Sequence, residues 1–566
     1  MPYIVELWRH FSSRRKAQYI LLLFVMFFAS LAEMVTIGAV LPFLAVLVDP
    51  QSLYEYELIQ PLILFLDATD PQQLVFPIVV FFIIVVISAG SIKVGLLYCT
   101  TRLSHSIGTE ISIDIYNRTL HQDYLTHINR NSSEVVTGII VKTNLVIGGV
   151  VVPILNLMSS SILAIGILTI LISINPIIVL FVFPSFAFLY FLIVLFIRRK
   201  VKRNSEIISS QATLMVQHLQ EGLGAIRDII MDSSQNFYLA RYSHSVVSKQ
   251  RASAENTFDA HSPKPILEVV AIVFIAVFAY QLSLDGNSFQ GSIPMLGALT
   301  LAAQRLLPAI QLAYAGYTSF NSNKSALKDV ISLLNQKMPE YSGSPSIVFE
   351  KEVLVSNLSF KYSEEGPWIL HNVNLRLKKN TTTGFCGTTG SGKSTLINIV
   401  MGLLDPSEGH VSIDGEIITE KNKQRWYEHI AHVPQNIFLT DGTIEANIAY
   451  GVPEDEIDHS LVRDVAEKAN ILGLIATSKD GYKTNVGEGG LKISGGQRQR
   501  IGIARALYKK CDVLILDEAT SALDNETERQ IMYEVCALSS EMTILIIAHR
   551  LSTLENCHQV IDLSDW

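Results

Sequence analysis

Three observations predict an α-helical membrane domain (six transmembrane helices with long cytoplasmic extensions) followed by a soluble α/β domain. Apolar runs of bilayer length crowd into the first 320 residues. The remainder reads as alternating strand-like and helix-like segments. Within that remainder, Gly387-Thr388-Thr389-Gly390-Ser391-Gly392-Lys393-Ser394 spells G-x-x-x-x-G-K-S, a loop whose backbone N–H groups turn inward around phosphates.

With 566 residues the chain is too long for one ordinary core, so at least two domains are expected. The boundaries predicted are 1–335 for the membrane domain, 336–346 for a polar linker and 347–566 for the α/β domain. Hydrophobic residues make up 49% and charged residues 17% of the chain, with a mean hydropathy of +0.33. A net charge of −8 gives no footprint for nucleic-acid binding. Cys99, Cys386, Cys511, Cys536 and Cys557 show no metal-ligand spacing and read as reduced, mostly buried thiols.

The six apolar runs fall at about 17–48, 74–99, 145–173, 176–197, 264–284 and 293–320. Arg14-Arg15-Lys16 precedes the first run in the manner of a signal peptide, but five further runs make it an uncleaved first helix. The segment from Asp49 to Asp70 carries no Lys or Arg, and the loop near Asp285 carries no base. Arg198-Arg199-Lys200, Lys202 and Arg203 follow the fourth run. By the positive-inside rule both chain ends are cytoplasmic, in a multi-pass protein of a cell's cytoplasmic (inner) membrane.

Two polar stretches, roughly 100–144 and 198–262, keep helical spacing, as at Leu214, Leu219, Leu223 and Ile226. They predict helices that run on beyond the bilayer, with tips near Tyr124–Glu134 and Glu221–Asp232 positioned to meet the α/β domain. Between the first two runs, Leu53, Tyr54, Leu58, Ile59 and Leu62 alternate with Glu55, Glu57 and Gln60. That pattern fits an amphipathic helix on the outer face or an ordinary packed loop.

In the α/β domain, Val353–Tyr362, Asn372–Leu377 and Thr381–Gly384 read as strands leading to the phosphate loop. Lys393 reaches the outer phosphates, and Ser394, followed by Thr395, can hold Mg²⁺. Tyr362 is either an aromatic platform for adenine or a buried strand tyrosine. Downstream stand Ser494-Gly495-Gly496-Gln497 and Val513-Leu514-Ile515-Leu516-Asp517-Glu518. Behind membrane-grade sequence, these motifs describe an α/β P-loop ATPase domain that couples ATP hydrolysis to work in a bilayer.

Over its whole length the chain resembles an ABC transporter of the exporter type, six spans fused to one nucleotide-binding domain. The resemblance implies ATP and Mg²⁺ as cofactors. It implies that Gln435 in Val433-Pro434-Gln435 touches Mg²⁺ and the membrane domain, and that Asp517 orders the metal. Glu518 would be the general base toward water, and His549 the γ-phosphate sensor. Val486-Gly487-Glu488-Gly489-Gly490 resembles the loop that meets the membrane domain, and Ser521-Ala522-Leu523-Asp524 the loop ending in Asp524. Ile493 stands where the signature usually has Leu. The family closes ATP between the phosphate loop of one domain and the signature of another, which implies a homodimer with two working sites. Related domains continue some tens of residues past Leu563, so the end at Trp566 is either short or truncated.

Ionisable residues within spans are costly and mark function. Lys93, Lys264 and Arg305 are candidates for phosphate groups, with Glu33 and Glu268 as alternative partners; snorkelling near an interface is the competing reading for all three, least so for Arg305. Ala32-Glu33-Met34 to Leu41-Pro42-Phe43, Pro263-Lys264-Pro265-Ile266-Leu267-Glu268 and Gln304-Arg305-Leu306-Leu307-Pro308 resemble the bacterial flippases for lipid-linked oligosaccharides of protein N-glycosylation. That resemblance implies a lipid-linked anionic glycan, carried on polyprenyl pyrophosphate, as substrate. Lys264 and Arg305 fall on matching basic positions, while Lys93 stands about one helical turn from the third. The alternative is an exporter of another lipid, drug or peptide. Peptide export with processing is disfavoured because no protease-sized domain precedes the first span. The spans exclude a soluble ABC ATPase of the DNA-repair kind, and the intact catalytic residues argue against a regulator.

Overall fold

The computed structural model describes residues 2–48, 50–51, 70–174, 176–284, 289–339, 347–520, 525–548 and 550–564. Several expectations therefore lie outside the described residues: the segment around Leu53–Leu62, Asp285, Ser521–Asp524 and His549. The chain forms two compact units. One comprises 1–122 and 130–337; the other comprises 123–129 and 338–566.

Among the described residues, the regular structure of the first unit is all helix. Its long members are Ser13–Val48, Val75–Leu120, Val152–Ile174, Pro176–Gly224, Gln235–His261, Pro263–Leu284 and Phe289–Ser322. Among the described residues, four helical stretches are long and apolar enough to cross a membrane: Ser13–Val48, Pro71–Leu120, Ser132–Ile170 and Gln235–Val277. The other two expected spans fall in Pro176–Gly224 and Phe289–Ser322, helices with some side chains outside the described set. Phe24, Phe28, Phe81, Ile84, Ile87, Val94 and Leu97 all point outward, away from any protein core. Such surface is unstable against water and calls for lipid or a partner helix. Buried hydroxyls satisfy themselves inside their own helices, as Ser30 Oγ donates to Met26 O at 2.9 Å and Ser104 Oγ to Thr100 O at 2.8 Å.

Helix Val75–Leu120 continues some twenty residues beyond the apolar run that announces it, because its lower half is a protein-facing stripe: Leu103, Ile107, Ile111 and Ile115 are buried at helical spacing. They pack with Leu7 and Phe11, with Val146, Val150 and Leu155, and with Leu327, Val330 and Leu334 of helix Lys324–Leu334. Two π-helical turns, Thr137–Lys142 and Ile147–Val151, interrupt the helix entering this cluster. At Gly316, Phe289–Ser322 comes close to Val152–Ile174: a Cβ there would lie 2.8 Å from Pro153 O.

The second unit holds two sheets. Strands β1 (Glu352–Phe360), β2 (Leu370–Lys378), β4 (Glu408–Ile413) and β5 (Glu416–Ile417) form an antiparallel sheet in the order β2-β1-β4-β5. Strands β3 (Thr382–Cys386), β6 (Ile430–Val433), β7 (Val513–Asp517), β8 (Thr543–Ile547) and β9 (Gln559–Asp562) form a parallel sheet in the order β6-β7-β8-β3-β9. The central strands β7 and β8 are near-continuous apolar runs because both faces are covered. Trp426, wholly buried, donates from Nε1 to Val400 O at 2.9 Å and stacks edge-on to Phe349 beneath the phosphate-loop helix. The short helix Tyr124–Asn129 belongs to this unit, with Leu125 packed on its core. Its other expected counterpart, near Glu221–Asp232, is a short helix too, Ile226–Met231. All five cysteines are free thiols. Burial pushes the thiols of Cys386, Cys511 and Cys536 up, and that of Cys557 up to about 12, so these four stay protonated and inert.

Candidate nucleotide site and membrane cavity

In a parallel α/β sheet, ligands gather at the carboxyl ends of the strands. Registers place these ends side by side: Val433 pairs with Leu516, Asp517 with Ile547, Phe385 with Ile547, and Cys386 with Asp562. The phosphate loop leaves β3, Gln435 follows β6, and Asp517-Glu518 close β7.

The loop needs its glycines. Gly387, Gly390 and Gly392 have φ of 141°, 88° and 86°, a region closed to most side chains. A Cβ at Gly392 would also stand 2.8 Å from Leu370 Cδ2. Helix Lys393–Val400 starts directly after, so its free N–H groups face the concavity. Lys393 Nζ, buried, donates to Gly387 O at 2.8 Å and Thr388 O at 2.9 Å, which bends the ammonium across the loop. Ser391 Oγ is buried without a hydrogen-bond partner among the described residues. A buried orphan hydroxyl beside a ring of inward N–H groups fits phosphate oxygens.

Thr395 is buried, and its Oγ1 shares a 3.2 Å hydrogen bond with Tyr362 OH. Tyr362 lies just past β1 and is 43% exposed, set edge-on to Phe360. The alternative of a buried strand tyrosine is thereby excluded, and the half-exposed ring is accessible to a flat ligand.

Gln435 Nε2 donates to Glu518 Oε2 at 2.5 Å. Glu518 has φ 50°, rare for a residue with a Cβ and held by its own N–H donating to Ile547 O at 3.0 Å. With Ser394 exposed at the helix start and Asp517 at the strand end, the donor set is oxygen-rich and sparse, which suits Mg²⁺ shared with phosphates and water.

The signature owes its residue types to helix capping. Ser494 Oγ accepts from Gln497 N at 3.3 Å, and Gln497 Oε1 accepts from Ser494 N at 2.8 Å, a reciprocal capping box at the start of helix Gly495–Tyr508. Gly495 and Gly496 leave the first two positions of the helix bare of side chains. Ile493 packs against the core, so the change from Leu costs little volume.

One buried residue that organises the site's surroundings escaped the sequence reading. Glu528, buried on helix Asn525–Ala537, accepts from Thr520 Oγ1 at 3.0 Å, Thr553 Oγ1 at 2.8 Å and Arg550 Nη1 at 2.7 Å. It ties the segment after Glu518 to the segment after β8. A glutamate in an amphipathic helix sends no sequence signal.

In the membrane unit, a cavity of about 460 Å³ is lined by Glu33, Lys93, Asn156, Ser160, Gln304 and Arg305 among others. Glu33, buried to 8% exposure, pairs its Oε1 with Lys93 Nζ at 2.6 Å and Arg305 Nη1 at 3.4 Å. Its Oε2 has no hydrogen-bond partner among the described residues. Lys93 and Arg305 remain 61% and 36% exposed. Lys264 does not line this cavity; it stands 3.7 Å from Glu268, one turn along its own helix.

A helical unit with lipid-facing side chains, joined to a phosphate-loop sheet bearing a capped signature and a carboxylate pair, defines an ATP-hydrolysing membrane transporter. Known proteins narrow the class. The family "ABC transporter transmembrane region" matches residues 17–301 and the family "ABC transporter" matches 370–521. The chain belongs to the ABC transporter family. It is similar to an ATP-dependent lipid A-core flippase of Cupriavidus metallidurans, 27% identical over 82% of this chain and 79% of the relative. A protein of the same name from Saccharophagus degradans is 37% identical over 52% of this chain and 50% of its own. A bacterial Atm1-family ABC exporter with ATP bound shares the fold, with a TM-score of 0.79 over 97% of this chain and 94% of that one at 21% identity.

Proposed function

We propose that this exporter is an ATP-driven flippase for a polyprenyl-pyrophosphate-linked oligosaccharide in the cytoplasmic membrane. It works as a homodimer of six-span protomers with both termini cytoplasmic. The observation that carries this reading is the convergence of Lys93 and Arg305 on Glu33 in one polar cavity of the membrane unit. Two cations at one place match a pyrophosphate, and the guanidinium fork suits its oxygens. Glu33 is the resident counter-ion that the lipid pyrophosphate displaces.

Residues 1–335 carry the substrate and 347–566 the hydrolysis. Gly387 to Thr395 cradle the phosphates and Tyr362 stacks on the base. Ser494, Gly495, Gly496, Gln497 and Asp524 of one protomer close the site of the other. Ser394, Gln435 and Asp517 hold Mg²⁺, which neutralises phosphate charge when bound. Glu518, oriented by Gln435, takes the proton of the attacking water, and His549 contacts the γ-phosphate.

The test is ATP-dependent translocation of a labelled polyprenyl-pyrophosphate oligosaccharide in proteoliposomes, with Glu518→Gln as blank. Flipping by wild type alone supports the reading; healthy hydrolysis without flipping ends it. In that event the names of the relatives favour a second reading, export of a different lipid, over a drug or peptide.

A further inference from the structure

We propose that a second cavity, about 680 Å³ in volume and separate from the Glu33 cavity, binds the phosphate-bearing head group of an anionic lipid from the cytoplasmic leaflet. Two helices bring its charge together, and a third adds an aromatic ring. Arg198 and Lys202 come from Pro176–Gly224, Lys324 and Lys328 from the last helix of the unit, and Tyr3 from the amino-terminal helix Pro2–Arg9. Glu206 is the one carboxylate in the lining.

Several cations around this cavity already have partners. Lys200, beside them in sequence, pairs with Asp259 at 3.1 Å and Glu255 at 3.6 Å. Lys142, nearby in the same unit, pairs with Asp329 at 2.7 Å. Among the described residues, Arg198, Lys202 and Lys328 enter no ion pair. Lys324 sets its ammonium 5.9 Å from the centre of the Tyr3 ring, a cation–π contact that leaves its charge intact. The walls are held in place independently of any ligand, since Ser325 N donates to Ser205 Oγ at 3.2 Å across the two helices. Four cations around one concavity repel each other, and an anion relieves the repulsion.

Depth decides what kind of anion. Arg198 follows directly on the apolar run 176–197, and Lys324 follows on 293–320. The cavity therefore opens where the helices leave the bilayer, at head-group level, where tyrosines such as Tyr317 are at home. Val194 and Ile197 line its membrane side, offering an apolar wall for an acyl or polyprenyl chain. A soluble phosphate has no use for that wall. This placement rests on the orientation proposed above.

Basic residues at a cytoplasmic membrane face also attract anionic lipids diffusely. Native mass spectrometry of the detergent-solubilised full-length protein separates the two cases, because it counts bound lipids. The probes are dioleoyl phosphatidylglycerol, polyprenyl pyrophosphate and inorganic pyrophosphate, with dioleoyl phosphatidylcholine as reference. Lys202→Gln with Lys328→Gln should weaken lipid binding roughly 25-fold, from about fivefold per lysine. Arg199→Gln with Arg203→Gln removes the same charge from the same helix outside the lining, and should stay within about twofold of wild type. Lys202→Arg with Lys328→Arg should keep binding, showing that charge rather than fold was lost. Equal weakening by both glutamine pairs, or by neither, overturns the site, and so does retention of inorganic pyrophosphate without either lipid. Binding of polyprenyl pyrophosphate alone assigns the cavity to the transported lipid; binding of phosphatidylglycerol as well assigns it to the leaflet at large. Because the assay needs neither hydrolysis nor a glycan, failed flipping in proteoliposomes would leave it standing.

Discussion

Glu518 holds a left-handed backbone, φ 50°, at the end of β7. Such a conformation costs about 1–3 kcal/mol and persists only where surroundings impose it. Here the hydrogen bond to Ile547 O and the Gln435 amide impose it, and they aim the carboxylate across the strand ends. Glu518→Gln keeps shape and loses basicity, so phosphate release should fall about 10²- to 10⁴-fold while fluorescent-nucleotide binding persists. Normal hydrolysis would remove Glu518 from the role of base. Arg305→Ala should lower pyrophosphate-lipid transport about ten- to a hundredfold, the worth of one charge-assisted contact, with Arg305→Lys intermediate. Unchanged transport would make Arg305 a structural partner of Glu33. The phosphate loop and signature were legible from sequence because their chemistry dictates residue type: positive φ demands glycine, and the capping box demands Ser and Gln three apart. Glu528 was not legible, because its three partners, 8 to 25 residues away, sit outside its own helix at no fixed spacing from it.

Helices were located by hydropathy, which sees lipid contact and not helix length. The run at 74–99 is one part of Val75–Leu120, whose lower half is stabilised by protein contacts at Ile107, Ile111 and Ile115. The same blindness hid the closeness of Phe289–Ser322 to Val152–Ile174. In hydrocarbon, helices gain nothing from the hydrophobic effect on meeting, so contact area between backbones matters more and small residues mark it. Gly316 is such a residue, facing Pro153 O. Gly316→Ala would improve helix propensity by up to about 1 kcal/mol, yet its methyl must push back a carbonyl that cannot rotate away. The net expectation is destabilisation of about 1–3 kcal/mol, seen as a lower melting temperature of the detergent-solubilised protein by intrinsic fluorescence. A raised melting temperature would mean that the two helices separate freely at this point. Substituting Gly148, where a Cβ meets nothing within 4 Å, is the matched control.

At the scale of the molecule, each chain carries one phosphate loop and one signature, and the two lie at the starts of different helices. If ATP is closed between protomers, the two motifs that act together belong to different chains. Two dead variants then become informative as a pair. Lys393→Ala removes the phosphate-binding ammonium. Gly496→Asp sets a carboxylate at a helix amino terminus, where the dipole tolerates it, so the fold is kept while phosphate is repelled. Neither variant alone should hydrolyse ATP. Co-expressed with different tags at equal levels, they pair at random, half of the dimers are mixed, and each mixed dimer owns one intact loop facing one intact signature. Hydrolysis should return to about a quarter of wild type if the two sites act independently, and to less if both must fire together. Isolating the mixed dimers through both tags should roughly double the recovered activity per protein. No recovery, with mixed dimers present, would place loop and signature of one site in the same chain and overturn the shared-site homodimer.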